Sequence, residues 1–316
     1  MIFSFAPMEG VTGAIFRRTH RRLFPEADRY YAPFLAPDRT GAVKESRFRD
    51  VLPELNQGLT LIPQILANDP ESFLALAERL ASLGCREVNL NCGCPSGTVV
   101  AKRKGAGLLA DPRALDAFLS AIFERSSVGI SVKTRLGVES ADEFPALLEV
   151  YRRYPLRELT VHVRTREGFY RSAPDPDAFA VLEDSPFPVC YNGGVFDAND
   201  CRRLRERFPW LRHLMLGRGA AMNPALFRVL RGGKPLEREE LRLFYETLLD
   251  ETLASGLAQG FALDRMKELW SYGLRLFPDS EKLAKGIRKA RRTEDYREAV
   301  HRLFAEANFD PNARFE

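Results

Sequence analysis

A short segment at residues 88–96, with the sequence VNLNCGCPS, brings two cysteines and an asparagine together. Its apolar residues predict a strand that stops at Gly93 and Pro95, so Asn91 and Cys94 would lie at the carboxyl end of that strand. Parallel α/β enzymes carry their chemistry at this end of their strands. A carboxamide can pair with a planar polar ligand, and a thiol can act as nucleophile, metal ligand or proton donor.

Three chemistries are open to Cys94. A closed zinc site lacks ligands, because the chain has four histidines and no third cysteine lies near Cys92 and Cys94. A nucleophilic role stays open, although no local Cys-His-Asp/Asn signature supports it. A thiol with its ordinary pKa near ~8.5 is mostly protonated at neutral pH and can donate a proton to a carbanion-like centre.

Two glycine-rich turns follow the last two predicted strands of the regular part of the chain. Asn192, Gly193 and Gly194 follow one strand, and Gly217 and Arg218 follow the next. In α/β barrels these two loops commonly bind a phosphate, because glycine lets backbone N–H groups approach the oxygens. The alternative is that the glycines only turn the chain.

Other polar side chains also occur towards the ends of predicted strands, namely Glu9, Gln64, Lys133 and His162. Buried polar groups need partners, so their convergence on one barrel opening suggests a ligand rich in donors and acceptors, such as a flavin ring and its phosphate. The alternatives are an interior ion pair for Lys133 and a core histidine bonded to the backbone for His162.

The elements that would position these residues are eight β-branched, apolar runs that alternate with amphipathic helical segments. The runs cover residues 3–7, 30–36, 59–66, 87–91, 129–135, 158–163, 189–192 and 213–216. Asp69-Pro70 and Asp111-Pro112 indicate helix starts, and Gly84 indicates a helix end. This alternation predicts an α/β fold, a parallel (β/α)8 TIM barrel.

The sequence pattern changes after residues 232–235, a segment with two glycines and a proline that we expect to be flexible. No convincing strand is predicted beyond it. Helical patterns cover residues 238–255, 263–276, 282–289 and 295–307. We predict a catalytic barrel domain over residues 1–235 and a small all-helical domain over residues 236–316.

Composition places the 316-residue chain among ordinary globular proteins, with 45% hydrophobic and 28% charged residues. A net charge of +4 permits a polyanionic partner without requiring one. Five cysteines without a CxxC pair favour reduced thiols in a cytoplasm. Since the sequence has neither a basic, apolar leader nor a run of ~18 apolar residues, we expect no cleaved signal and no membrane span.

Basic residues cluster in two places. Lys282, Lys285, Arg288, Lys289, Arg291 and Arg292 form a run without an acidic residue, and Lys102, Arg103 and Lys104 lie just beyond Cys94. The spacing of Lys282, Lys285, Lys289 and Arg292 predicts one shared helical face. Such a face is often merely solvated, yet both clusters suit a polyanion such as RNA.

Taken together, these motifs resemble the tRNA-dihydrouridine synthases, and among them the bacterial branch that includes dihydrouridine synthase C. The resemblance spans the whole predicted barrel in order. It rests on the segments APMEGVT at 6–12, Gln64, NLNCGCPS at 89–96, KTRLG at 133–137, HVRTR at 162–166, NGG at 192–194 and GRGA at 217–220.

The resemblance implies an enzyme with tightly bound FMN, reduced by NADPH, that transfers hydride from flavin N5 to C6 of a uracil flipped out of tRNA. Cys94 would donate the proton to C5 as general acid. The residues that this implies for FMN binding are Pro7, Met8, Glu9, Gln64, Lys133, His162, Asn192, Gly193, Gly194, Gly217 and Arg218.

The implied substrate contacts place Asn91 beside the target base. The expected contacts to tRNA are Arg135, Arg164, Arg166, Lys102, Lys285, Arg288, Lys289 and Arg292. We expect a cytoplasmic monomer with neither a metal ion nor a membrane among its partners.

Two other functions remain compatible with the sequence. One is an FMN-barrel dehydrogenase or reductase that acts on a small, free pyrimidine-like molecule. The other is a non-redox RNA-binding scaffold, which would keep the basic clusters but need no flavin.

Overall fold

The computed structural model describes residues 1–38 and 40–314 and contains a ring of parallel strands. Within these residues the strands are β1 (Ile2–Phe5), β2 (Arg29–Tyr31), β3 (Leu61–Ile62), β4 (Gln64–Ile65), β5 (Glu87–Cys92), β6 (Gly129–Arg135), β7 (Leu159–His162), β8 (Val189–Asn192) and β9 (His213–Leu216). Their order is β3-β2-β1-β9-β8-β7-β6-β5-β4. Because β3 and β4 adjoin in sequence, the sheet returns on itself, which confirms the predicted barrel.

The strand predicted over residues 59–66 is split in two by Pro63. Proline has no N–H to donate to a strand ladder, so the regular pairing stops there. The two halves pair with different neighbours: Ile62 with Tyr31 of β2, and Gln64 with Asn89 of β5. Gln64 is thereby fixed at the start of β4, inside the barrel.

The register of the strands aligns the polar residues of the predicted site. Asn91 of β5 pairs with Lys133 of β6, and Arg135 of β6 pairs with His162 of β7. His162 in turn pairs with Asn192 of β8. These residues therefore share the carboxyl ends of neighbouring strands, as in other barrel enzymes.

The helices begin and end largely where their capping residues predict. Asp69 accepts a hydrogen bond from the N–H of Ser72, and Asp111 accepts from Arg113 and Ala114, each before a proline at the first helical position. In the described residues the α-helices are α1 (Ala14–Leu23), α2 (Glu45–Phe48), α3 (Pro70–Ser82), α4 (Gly97–Val100), α5 (Pro112–Arg125), α6 (Phe144–Tyr151), α7 (Ala198–Arg207), α8 (Arg218–Met222), α9 (Leu226–Leu230), α10 (Arg238–Ala254), α11 (Gln259–Gly273), α12 (Glu281–Lys289) and α13 (Thr293–Glu306). In the part of the chain that is described, none of them is both long and apolar enough to cross a membrane.

The chain forms two compact units. The first comprises residues 1–7, 28–194 and 204–215, and the second comprises residues 8–27, 195–203 and 216–316. From Arg238 onward the described residues form helices without strands, consistent with the helical pattern of the sequence. The domain boundary near residue 236 stays a prediction.

A buried carboxylate ties several strands of the first unit together near their amino ends. Glu158, which is 1% exposed, accepts hydrogen bonds from Tyr31 and Thr160 and lies 3.3 Å from Nη1 of Arg29 and 2.5 Å from Nδ1 of His213. Burial, followed by the charge of Glu158, raises the pKa of Tyr31 well above its usual value. The acid thus gives partners to polar groups from β2, β7 and β9.

We predict that Glu158→Ala lowers the free energy of unfolding by about 3–5 kcal/mol, because it leaves the buried partners of the carboxylate without their acceptor. Urea denaturation measures the change. The control is Glu149→Ala, which removes an exposed carboxylate paired with Arg152 and should alter stability by no more than about 0.5 kcal/mol. Equal losses in the two variants would contradict the structural role of Glu158.

Candidate active site

The turn after β5 is held by the side chain of Asn91. Its Oδ1 accepts hydrogen bonds from the backbone N–H of Gly93 at 3.0 Å and of Cys94 at 2.9 Å. The chain therefore reverses tightly around one amide oxygen, and the position of Cys94 is set by the strand that carries Asn91. The predicted placement of both residues at the end of this strand agrees with the structure.

The two cysteines of this segment lie in different surroundings. Cys92 is fully buried in the barrel wall, and desolvation raises the pKa of its thiol to about 12. Cys94 is half-buried in the turn. A thiol that can meet a ligand is therefore Cys94, whereas Cys92 is a packing residue.

A glycine packs directly on Cys94. Gly105 has a φ of +58°, and a Cβ at this position would lie 2.9 Å from both Cβ and the carbonyl oxygen of Cys94. The N–H of Ala106 donates to that same carbonyl at 3.0 Å. The segment after α4 thus folds back onto Cys94. The exposed Lys102 lies on the same segment, and Asn68 donates to its carbonyl at 2.9 Å.

A chain of buried amides lies behind the turn. Asn91 donates to Oε1 of Gln64 at 2.7 Å, Gln64 donates to Oδ1 of Asn89 at 2.7 Å, and Asn89 donates to Ser131 at 3.0 Å. Such a connected network orients each amide group, because any flip would leave a buried donor or acceptor unpaired. The turn with Cys94 is in this way joined to three strands.

Lys133 is a cation inside the barrel whose polar partner is neutral. In residues 1–38 and 40–314, its ammonium donates to Oδ1 of Asn192 at 2.9 Å and has no carboxylate within 4.0 Å. Asn192 is itself oriented by donating to the carbonyl of Met215 at 2.8 Å. Desolvation, followed by the charge of Arg135, lowers the pKa of Lys133 to about 7. This ammonium is suited to an anionic or electron-rich ligand, and the structure gives no support to the alternative of an interior ion pair.

His162 is oriented by a neighbouring arginine. Nη1 of Arg164 lies 2.9 Å from Nε2 of His162. A guanidinium only donates, so Nε2 must be the acceptor, and the ring is a neutral tautomer with its hydrogen on Nδ1. Arg164 also donates to the carbonyl of Ser172 at 2.8 Å and is only 5% exposed. It therefore braces the loop after β7, and its expected contact with tRNA stays a prediction.

Arg135 braces the same loop from the neighbouring strand. It is 1% exposed, and it donates to the carbonyls of Gly93, Thr165 and Phe169 at 2.7–3.0 Å. This one guanidinium joins the turn that carries Cys94 to the loop after β7. Its observed role is to hold these loops, whereas contact with tRNA stays a prediction for Arg135 and for the half-buried Arg166.

Tyr170 is a candidate that the sequence analysis missed. Its ring is 5.8 Å from the ring of His162 and 5.4 Å from the guanidinium carbon of Arg135, yet the residue is 46% exposed. An exposed aromatic ring beside two strand-end residues can contact a planar ligand. The aromatic pair at positions 169 and 170, inside a loop that follows a predicted barrel strand, was the signal available in the sequence.

The glycine-rich turns leave no room for side chains. A Cβ on Gly194, whose φ is +67°, would lie 2.7 Å from Pro174, and a Cβ on Gly193 would lie 3.1 Å from Val163. In the second unit, a Cβ on Gly219 would lie 2.5 Å from the carbonyl oxygen of Val195. These close contacts explain the glycines at positions 193, 194 and 219 without excluding a phosphate.

The other expected cofactor residues lie on the turn after β1 and at the start of α8. In the second unit, the N–H of Met8 donates to Thr12 at 2.8 Å, and Glu9 is exposed. The guanidinium carbon of Arg218 lies 5.9 Å from the ring centroid of Phe196. Pro7, Met8, Glu9, Gly217 and Arg218 remain predicted cofactor contacts.

The basic run near the carboxyl end is exposed, but it is not one continuous helical face. Helix α12 ends at Lys289, and Arg292 is the residue before α13, so the prediction that Arg292 shares a face with Lys282, Lys285 and Lys289 is wrong. Ala290 adopts an extended conformation that interrupts the helix. Arg288 and Arg292 form ion pairs with Glu281 and Glu294, so the three lysines carry the less compensated charge.

One protein family and several known relatives match most of this chain. The family model described as dihydrouridine synthase (Dus) matches residues 4–312. The tRNA-dihydrouridine(16) synthase of Haemophilus ducreyi is 31% identical over 253 residues, which cover 76% of this chain and 77% of the relative. The enzyme of the same name from Escherichia coli strain K12 is 29% identical over 318 residues, covering 94% and 97%.

A solved structure of morphinone reductase is similar in fold. Its TM-score is 0.52 at 14% sequence identity, and the match covers 75% of this chain and 87% of that one. At this identity the likeness supports the barrel fold alone.

The pKa of Lys133 generates a prediction about stability. Between about 7, its pKa in the folded chain, and 10.5, its ordinary value, the unfolded state binds a proton that the folded state lacks. The stability of the ligand-free protein relative to Lys133→Met should therefore rise with pH across this interval and be lowest below about pH 7. Denaturant titrations at several pH values measure the difference.

Lys285→Met, which removes an exposed lysine, is the control for the general effect of losing one cation. A stability difference between the native chain and Lys133→Met that falls as pH rises would contradict a desolvated ammonium.

Proposed function

This chain belongs to the dihydrouridine synthase family, and on that premise we propose that it reduces a specific uridine of tRNA to 5,6-dihydrouridine, with tightly bound FMN as cofactor and NADPH as reductant. The observation that carries the proposal is the desolvated Lys133, whose ammonium has a neutral amide as its polar partner next to the turn that holds Cys94. A bound small molecule with an electron-rich ring would give the Lys133 ammonium a negatively polarised partner in addition to this neutral amide.

The residues of the barrel fit a flavin. Lys133, His162 and the amide of Gln64 offer donors and acceptors from three strands. Gly193 and Gly194 both have positive φ values, a backbone conformation that can turn N–H groups towards a phosphate. Pro7, Met8, Glu9, Asn192, Gly217 and Arg218 complete the proposed set. When bound and reduced, FMN would supply the hydride for C6 of the uracil.

Cys94 supplies the proton in this proposal. Its thiol would donate to C5 of the uracil on completion of the reduction and would then regain a proton from solvent. Asn91 fixes the backbone of Cys94, and Gly105 packs against its Cβ, so the thiol is positioned before the substrate arrives. A held donor of this kind contributes on the order of 10²–10⁴-fold to a proton-transfer step.

The substrate is proposed to be tRNA. Lys102 is exposed on the segment that folds back on Cys94, and Lys285 and Lys289 are exposed on α12, so these cations can contact phosphates. Flipping a base out of its stack costs a few kcal/mol, which such contacts would offset. Because the two relatives described above are named tRNA-dihydrouridine(16) synthases, we propose uridine 16 as the target.

The purified protein tests the proposal directly. We expect it to carry FMN and to oxidise NADPH in the presence of unmodified tRNA, with dihydrouridine appearing at position 16 when the product is mapped. Oxidation driven by free uracil or orotate but not by tRNA would instead favour the small-pyrimidine reductase. Protein that takes up no FMN would refute both.

We predict that Cys94→Ala retains FMN and the oxidation of NADPH but forms dihydrouridine at least about 100-fold more slowly, because the proton donor at C5 is lost. Single-turnover formation of dihydrouridine from reduced enzyme measures the effect. Cys85→Ala is the matched control, since Cys85 is another half-buried thiol in the same unit. Product formation at the native rate in the Cys94 variant would exclude Cys94 as the acid.

A second prediction concerns the basic helix. Replacing Lys282, Lys285 and Lys289 by alanine should weaken tRNA binding and reduce the slope of log K against log salt concentration by up to about 3, roughly one for each lost phosphate contact. Binding titrations at several salt concentrations measure both quantities, and FMN content should not change.

The control removes three arginines of the same unit that are paired with carboxylates: the half-buried Arg242 and the exposed Arg297 and Arg302. Their replacement changes the net charge equally but should leave the slope near its native value. An identical change in the two triple variants would mean that net charge, rather than this helix, governs binding.

A further inference from the structure

The peptide group between Gly93 and Cys94 is held on both sides. Its N–H, which belongs to Cys94, donates to Oδ1 of Asn91 at 2.9 Å. Its carbonyl, which belongs to Gly93, accepts from Nε of Arg135 at 2.7 Å. Because a peptide group is planar, hydrogen bonds at both of its polar atoms fix the orientation of the whole plane. The backbone that enters Cys94 is therefore set by one side chain from β5 and one from β6.

The peptide group that leaves Cys94 is held as well. The carbonyl of Cys94 accepts from the N–H of Ala106 at 3.0 Å. Pro95 follows, and a proline restricts the backbone of the residue before it. With both flanking peptide groups fixed, the direction of the Cα–Cβ bond of Cys94 is fixed too, and the thiol keeps only its rotation about χ1. The loss of one of these hydrogen bonds would let the sulfur move.

Arg135 makes its bond to this turn from inside the first unit. The residue is 1% exposed, and its Nη1 also donates to the carbonyls of Thr165 at 2.8 Å and of Phe169 at 3.0 Å. Hydrogen bonds from an ionised donor are stronger than those between neutral groups. A buried guanidinium that bonds three carbonyls is suited to hold backbone in place, whereas a phosphate contact would require it to reach solvent.

The two ends of the Arg135 side chain hold different segments. Nε, nearer the backbone, holds the turn of Cys94, and the terminal Nη1 holds the loop after β7. A lysine has a carbon where arginine has Nε, but it keeps a cation near the end of the side chain. A glutamine has a nitrogen at the position of Nε and nothing beyond it. The two contacts can therefore be removed separately by substitution.

We propose that Arg135 is a positioning residue, which sets the Cys94 thiol for proton transfer through its hydrogen bond to the Gly93 carbonyl. The inference rests on the proposed function and adds a residue that acts through Cys94 without touching the substrate. A displacement of about 1 Å in a reacting group can cost on the order of 100-fold in rate. Loss of this bond should therefore slow the step that Cys94 serves and leave the earlier steps unchanged.

The test compares Arg135→Lys and Arg135→Gln with the native protein, all loaded with FMN. Single-turnover formation of dihydrouridine from reduced enzyme, at saturating tRNA, should be on the order of tenfold slower in Arg135→Lys. Arg135→Gln should lose clearly less, because its amide nitrogen can still donate to Gly93. Since the lysine keeps the charge, the loss in that variant is not a loss of charge. Reduction of FMN by NADPH and the affinity for tRNA should not change in Arg135→Lys.

A second measurement asks whether the effect passes through the thiol. In a Cys94→Ala background, Arg135→Lys should cause no further loss, because both changes act on the same proton transfer. Arg164→Lys is the matched control, since Arg164 is also buried and donates from Nε, but to the carbonyl of Ser172. Any loss that it causes should persist in the Cys94→Ala background.

Alkylation by iodoacetamide, located by peptide mapping, tests the hold on the turn without tRNA. The thiol of Cys94 should react faster in Arg135→Lys than in the native protein, while the half-buried Cys85 should react at its native rate. If the native protein forms no dihydrouridine, the proposed function fails, yet this measurement still decides whether Arg135 holds Cys94.

Four results would overturn the inference: a native rate of dihydrouridine formation in Arg135→Lys, an equal loss in Arg135→Gln, a loss that persists undiminished without the Cys94 thiol, or unchanged alkylation of Cys94. A loss that consists of weaker tRNA binding would also overturn it and would favour a direct contact with tRNA. Melting temperature and FMN content show whether each variant is folded. If Arg135→Lys does not fold, Arg135→Gln decides alone, and a loss of tenfold or more there would count against the proposal.

Discussion

A closed ring of parallel strands directs polar side chains into one interior, and every buried polar atom there needs a partner. The amides of Gln64, Asn89 and Asn91 meet this requirement among themselves. Lys133 meets it only in part, because its partner is a neutral amide. Lys133 is therefore a point in the described interior where a bound anionic or electron-rich group would complete the pairing.

The two ends of the barrel have different roles. Polar groups at one end stabilise the fold, and those at the other end hold the proposed site. Near the amino ends of the strands, Glu158 satisfies Tyr31, Arg29 and His213, and this cluster joins strands that are distant in sequence. Near the carboxyl ends, the polar groups instead hold the turn of Cys94 and the loop after β7. Rigidity at one end allows the other to hold a desolvated cation.

The sequence predicted the barrel well, and it predicted that Asn91, His162 and Asn192 lie at strand ends, because apolar strands and the polar residues at their ends are local patterns. The strands 129–135, 189–192 and 213–216 have the predicted bounds, whereas the strand at 59–66 is broken at Pro63. Burial of charged residues was harder to predict. The sequence shows the charge of Arg135, but it does not indicate that three backbone carbonyls accept hydrogen bonds from its guanidinium. Contacts within loops, such as that of Tyr170 with His162, have no period from which they could be predicted.

The hydrogen bonds of Asn91 have a consequence for how such a protein can diverge. One amide oxygen fixes the backbone at Gly93 and Cys94, and the amide nitrogen is committed to Gln64. Any substitution of Asn91 therefore removes the acceptor that holds the backbone of Cys94 together with the donor to Gln64. New substrate preferences would arise more readily through distant surfaces that can vary without this cost, so the proposed reacting centre would change less than the surfaces that select the substrate.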